Sequence, residues 1–123
     1  MTIGIDYLDE IEEKKKKLDE KYKKRREKEL KDLSAVLKTA EGRRLVWRIL
    51  TEAGIFRTTF SGNESGRQSW LEGKKDVGYL LMSDIMASDI KMFAQMQQEQ
   101  IAKQKQDEAD ELKDREEKEK GGQ

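Results

Sequence analysis

Apolar residues are spread unevenly along this chain, and their spacing changes twice. Between Asp6 and Asp32 they form a thin stripe, Leu8, Ile11, Leu18 and Tyr22, with Lys15 standing where a further apolar residue would fall. Steps of three, seven and four residues match a coiled-coil seam. Two apolar heptads fall short of the three or four that define one, so the segment reads either as a helix–helix seam or as a solvated single helix. From Leu33 to Ile101 the pattern thickens, and both Trp and all three Phe lie there. Beyond Ile101 only Ala102, Ala109 and Leu112 are apolar.

The middle region carries recognisable helix punctuation. Thr39 is an N-cap residue, and the periodicity after it predicts a helix to about Ala53. Leu45, Val46, Ile49, Leu50 and Ala53 share one face of that helix. Gly54 stands where a glycine ends a helix, with Ile55 or Phe56 folding back on the last turn. The turn-rich run from Arg57 to Arg67 predicts an ordered loop anchored by Phe56 and Phe60. A second, long helix is expected to begin between about Glu64 and Ser69 and to run through Met96, with Gly73 and Gly78 early in it. Glycine weakens a helix by roughly 1 kcal/mol relative to Ala, and it also lets another backbone approach, so the shorter helix is expected to pack there.

The fold class that follows is all-α: a long charged N-terminal helix, a short central helix, an ordered loop and a long C-terminal helix. The two central helices make an αα-hairpin with helical extensions. Three regions are expected: a charged, coiled-coil-like arm at 1–32, a helical core domain at 33–101, and a charged, helical to disordered tail at 102–123. The expected packing residues are Leu45, Trp47, Ile49, Leu50, Phe56, Trp70, Val77, Leu81 and Ile85.

Composition narrows the function more than it names it. The chain has 123 residues, 42% of them charged, yet its net charge is +0. The balance hides a polarity. Ser34 to Asp76 holds eight bases and five acids, and Val77 to the end holds seven bases and eleven acids. The runs Lys14–Lys17 and Lys23–Arg26 are flanked by acids and read as a solvated face. Absent Pro permits very long helices. Absent Cys and His exclude disulfides, thiolate or imidazole metal sites, and Ser-His, Cys-His or His-base catalysis. No apolar run reaches the ~18 residues of a membrane span, and Met1 to Asp32 lacks a signal-peptide core. A core of this size supplies only ~3–5 kcal/mol without disulfides or metal, so oligomerisation or docking on a larger assembly is expected.

Candidate chemistry is sparse. Ser88-Asp-Ile-Lys91 matches the S-x-x-K acyl-enzyme signature but lacks its companion elements. Gly66 to Lys75 fails the P-loop spacing, and the acids show no EF-hand order. Asp84 and Asp89, five apart on a helix, diverge. No catalytic residue, cofactor or metal is expected. The loop Ser61-Gly-Asn-Glu-Ser-Gly66 with Arg57, Arg67, Lys74 and Lys75 is the exception, since glycine-rich turns expose N–H groups to anions and arginine adds bidentate contacts. Arg57, Phe60, Asn63, Arg67, Lys74 and Lys75 are therefore the candidate partner-binding residues, the partner being either a phosphate-bearing nucleic acid or acids of a neighbouring protein. Met82, Met86, Met92 and Met96 read either as an adaptable binding face or as core filling.

The stretches Glu41-Gly-Arg-Arg-Leu-Val-Trp47, Ala53-Gly-Ile-Phe-Arg57, Phe60-Ser-Gly-Asn63 and Glu72-Gly-Lys-Lys-Asp-Val-Gly78 lie within a span of about a third of the chain. They resemble a family of small, largely uncharacterised proteins encoded among the virion genes of short-tailed phages. The resemblance implies a virion or assembly role and no catalytic residues. The expectation is thus a non-enzymatic phage virion-associated or assembly protein that docks through its helices. Its expected partners are other virion proteins and further copies of itself, with no membrane. Its location would be the virion, and the host cytoplasm during assembly. The alternatives are a nucleic-acid-binding accessory protein, for which nucleic acid is the less favoured partner, and a scaffolding protein.

Overall fold

The computed structural model describes residues 3–57 and 65–122. It contains four helices and, among the described residues, no strand: α1 (Ile3–Leu37), α2 (Ala40–Glu52), α3 (Ser65–Ser88) and α4 (Met92–Gly121). The all-α expectation holds. α1 runs past Asp32 to Leu37, and α4 stays helical to Gly121. The expected ordered loop falls largely outside the described residues.

α1 and α2 meet at a sharp corner made of two residues, Lys38 and Thr39. Thr39 has the extended backbone of an N-cap, and its hydroxyl accepts a hydrogen bond from the Gly42 N–H at 3.0 Å. This satisfies one of the donors that a helix start leaves unpaired. The end of α1 is closed from α2 by Arg43, whose guanidinium donates to the Leu37 and Lys38 carbonyls at 3.0 and 3.1 Å. A cation there also suits the negative end of the α1 dipole. The same side chain donates through Nε to Glu99 on α4 at 2.8 Å, so one arginine joins three helices. Gly42 makes the corner possible, since a Cβ on it would lie 1.8 Å from the Val36 carbonyl oxygen.

α2 ends as its sequence predicts. Gly54 has φ +82, a left-handed conformation that costs glycine little. The Ala53 and Gly54 N–H groups donate to the Ile49 and Thr51 carbonyls. The chain then folds Ile55 against Gly78 of α3, where a Cβ would come within 2.5 Å of Ile55 and 2.7 Å of Ala53. The expected close approach therefore occurs at Gly78. Gly73 faces open space.

The long C-terminal helix expected from the periodicity is two helices, divided at Asp89–Lys91. Asp89 accepts the Lys91 N–H on its carboxylate at 3.0 Å, and the Ser88 hydroxyl donates to the Ile85 carbonyl at 3.0 Å. Short polar side chains compete with the helix for its backbone groups in this way. The Ser88-to-Lys91 motif is thus, structurally, a helix stop.

The buried core is small: Leu37 from α1, Val46 and Leu50 from α2, Ile85 from α3 and Met96 from α4. Leu33, Trp47, Ile55, Leu81, Met82, Met92 and Phe93 pack around it, partly buried. Met96, Met82 and Met92 thus serve as packing, and Met86 is exposed. Trp47 stacks on Phe56 at 4.9 Å and tilts against Phe93 at 5.8 Å, a spacing at which aromatic pairs attract. α1 lies along α3, tied by the Arg26–Asp84 ion pair. The hydrogen bond to Asp84 raises the Arg26 pKa further above its ordinary value, so the guanidinium stays charged.

Both ends of the bundle run on as bare helix. Residues 6–25 and 101–122 are exposed throughout, arms of roughly 30 Å each at ~1.5 Å per residue. Their helicity has a local source. Glu10, Glu12, Glu13, Asp19 and Glu20 each precede a lysine by four residues, the orientation in which each such pair adds about 0.2–0.5 kcal/mol.

The three glycines give a sharp test by thermal or urea unfolding. Gly73→Ala, in open space, should stabilise by about 0.5–1 kcal/mol. Gly78→Ala should destabilise by ~1–3 kcal/mol through overpacking. Gly42→Ala, which meets backbone rather than a movable side chain, should cost at least as much as Gly78→Ala.

Candidate interaction surface

α2 has a wider apolar arc than the core covers. Val46 and Leu50 point inward, while Leu45 and Ile49, one position before each, remain exposed. At ~100° per residue the two pairs cannot all face one small core. On α3 the same division places Ile85 inside, whereas Val77 is 65% and Trp70 61% exposed. Of the expected packing residues, Leu50 and Ile85 are fully buried, and Trp47 and Leu81 are partly so. Leu45, Ile49, Phe56, Trp70 and Val77 are corrected to surface positions. Phe56 still covers one face of Trp47 by stacking.

These exposed residues are not scattered. Ile49 of α2, Ala53 just after it and Val77 of α3 line one shallow hollow, rimmed by Arg48, Glu52 and Lys74. Lys74 lies over the Trp70 ring at 4.6 Å, a cation–π contact that extends the surface along α3. A neighbouring hollow joins Leu45, Trp47 and Arg48 to Gln100 and Lys103 of α4. The region is therefore apolar at its centre and mainly basic at its edge.

The candidate loop cations divide. Lys75 donates to the Arg57 carbonyl at 2.9 Å and lies 5.9 Å from the Tyr79 ring centre, so it pins the turn after α2 onto α3. Arg57 and Arg67 are both exposed. Arg67 sits in the first turn of α3, two turns before Lys74. Phe60 and Asn63 lie outside the described residues. Sequence reasoning did not single out Arg43 or Glu99, set Asp84 aside as diverging from Asp89, and read Arg26 as part of a solvated face, whereas Arg26 pairs with Asp84. Each is an ordinary charged helix residue until the fold brings its partner, and no local signal marks it.

No described residue suggests buried polar chemistry. Among the described residues no group of His, Cys, Asp or Glu could hold a metal ion. Among the described residues no buried side-chain polar atom lacks a partner, and no polar or charged residue is fully buried. No helix among them is long and apolar enough to cross a membrane.

The fold and surface together define a small all-helical protein with a minimal core, a broad exposed apolar face and two charged helical arms. The chain belongs to the Bbp19-like phage protein family, whose model matches residues 33–98. That span begins at the end of α1 and closes in the second turn of α4. It holds all five buried core residues and leaves out both exposed arms. Neither the curated proteins nor the solved structures yield a match.

The surface and the core should separate under mutation. Leu50→Ala should cost ~2–5 kcal/mol of stability, as deletions from a buried site do. Val77→Ala and Trp70→Ala should stay within about 0.5 kcal/mol of the parent, as surface changes usually do. Chemical denaturation midpoints of the three variants measure the difference.

Proposed function

We propose that this phage protein is a non-catalytic component of the virion or of its assembly, docking on another virion protein through the face formed by α2 and the first half of α3. The observation that carries this is the apolar centre made by Leu45, Ile49, Trp70 and Val77, exposed in a chain whose own buried core holds five side chains. Contiguous exposed apolar surface with a polar rim is characteristic of protein interaction sites. A core flanked by aromatic and arginine residues is how such interfaces concentrate their affinity. The rim of Arg44, Arg48, Lys74 and Lys103, with one acid at Glu52, suits a partner that presents mainly acids around an apolar ridge. Membership of a phage family supports the virion setting.

The surface is less suited to nucleic acid. Lys74 is held over Trp70 and Lys75 is bonded to a backbone carbonyl, which leaves Arg57 and Arg67 as the loop cations without such a contact among the described side chains. A site of two phosphate contacts would show a log–log salt slope of only about −2.

The test replaces the gene in the phage that carries it. Ile49→Asp/Val77→Asp should leave the purified chain helical, with an unchanged unfolding midpoint. It should also remove the protein from purified particles, as read by mass spectrometry. Parent protein present only in immature particles would assign it to scaffolding. Undiminished incorporation of the double variant would refute docking through this face.

A further inference from the structure

We propose that the exposed arm of α1 pairs in parallel with the same arm of a second copy, forming a short two-stranded coiled coil. This surface is separate from the face argued above, and either reading can fail without the other.

The arm presents an unpartnered apolar line. Leu8, Ile11, Leu18 and Tyr22 are each between 45% and 66% exposed, and no described residue covers residues 6–25. The steps between them fix one heptad register. Leu8, Lys15 and Tyr22 take the first core position, and Ile11, Leu18 and Arg25 take the second. The seam ends at Tyr22. Arg25 turns back over the Tyr22 ring at 4.9 Å and pairs with Glu29, and Arg26 leaves for Asp84 on α3.

The flanking charges choose the occupant and its direction. In this register the positions before the first core residue are Tyr7, Lys14 and Lys21, and those after the second are Glu12, Asp19 and, past the end of the seam, Arg26. Each helix therefore carries lysines along one edge of the seam and, over its length, acids along the other. A parallel copy sets Lys14 against Asp19 of the second copy, twice by symmetry, and meets one like-charged pair, Lys21 against Arg26, past the end of the seam, where Arg26 is held by Asp84 of its own chain. An antiparallel copy sets Lys14 against Lys21 and Glu12 against Asp19, each twice, so every flanking pair within the seam is like-charged. Like charges so placed destabilise, and complementary flanks set orientation in coiled coils.

Lys15 opposes its own counterpart across the seam, which weakens it. A lysine at this position can still run its stem along the seam and keep its amine in water. A single polar residue there fixes register and strand number at a cost in stability. With two apolar heptads the pair should be weak and reversible, closing only when copies are held near one another.

Sedimentation velocity of the full chain from micromolar to millimolar concentration tests this. The parent should show a weak monomer–dimer equilibrium, abolished by Leu18→Lys. Lys15→Leu should tighten it by at least roughly tenfold, a gain of about 1.4 kcal/mol. Asp19→Lys should weaken the dimer, and Lys14→Glu/Asp19→Lys should restore it. An antiparallel pair predicts the opposite sign, because Asp19→Lys would then relieve repulsion and tighten the dimer. The chain contains no cysteine, so Leu18→Cys adds a single thiol that should oxidise readily to a disulfide-linked dimer. Because no described residue packs on the arm, none of these variants should change the unfolding of the core. A chain monomeric throughout, even as Lys15→Leu, overturns the proposal, as does a dimer that Asp19→Lys tightens or Leu18→Lys leaves intact.

Discussion

The structure depends on how closely α1 and α2 approach at their corner. With Gly42 set against the Val36 carbonyl, α2 can start with only Lys38 and Thr39 between it and α1. Arg43 then reaches both open carbonyls of α1 and, beyond them, Glu99 of α4. Any larger residue at position 42 would meet the Val36 carbonyl and force the corner open. At the other end of α2, Gly78 repeats the arrangement by receiving Ile55 and Ala53. A core of five side chains is thus set by two glycines and one arginine as much as by its own apolar area.

Much of this fold was legible in the sequence where the signal was local. The Thr39 cap, the extent of α2 and the glycine stop at Gly54 all follow from residue types at fixed offsets, whereas Gly73 and Gly78 are equal candidates for a close approach and only Gly78 makes one. The rest was decided by tertiary packing. The α3–α4 break rests on Ser88 and Asp89 capturing nearby backbone groups, within an apolar periodicity that continues to Met96. The arc of α2 identified its apolar residues, but it could not say that Val46 and Leu50 would be covered while Leu45 and Ile49 stayed outside. Of the candidate loop, Lys75 proved to be a structural tie to Arg57, which no spacing rule indicates, and Phe60 and Asn63 lie outside the described residues.

The match to the phage family and the packing divide the chain in much the same way. Residues 33–98 contain the buried core and most of the exposed apolar face, and the bare helical arms lie beyond them. The arms are supported by charge spacing along one helix, so their sequences can vary without disturbing the core. The core, by contrast, is too small to cover its own apolar surface. A protein built this way gains stability from whatever covers that surface, by mass action.

The central claim is that stability resides in the corner-built core, with the arms as independent helices. Native-state hydrogen exchange on the dilute, monomeric chain tests it most directly, because protection reports local opening residue by residue. The account predicts the slowest amides in α2 and around Ile85 and Met96, with fast exchange across residues 6–25 and 101–122. Arms protected as strongly as Leu50, or a core that exchanges as fast as the arms, would contradict it.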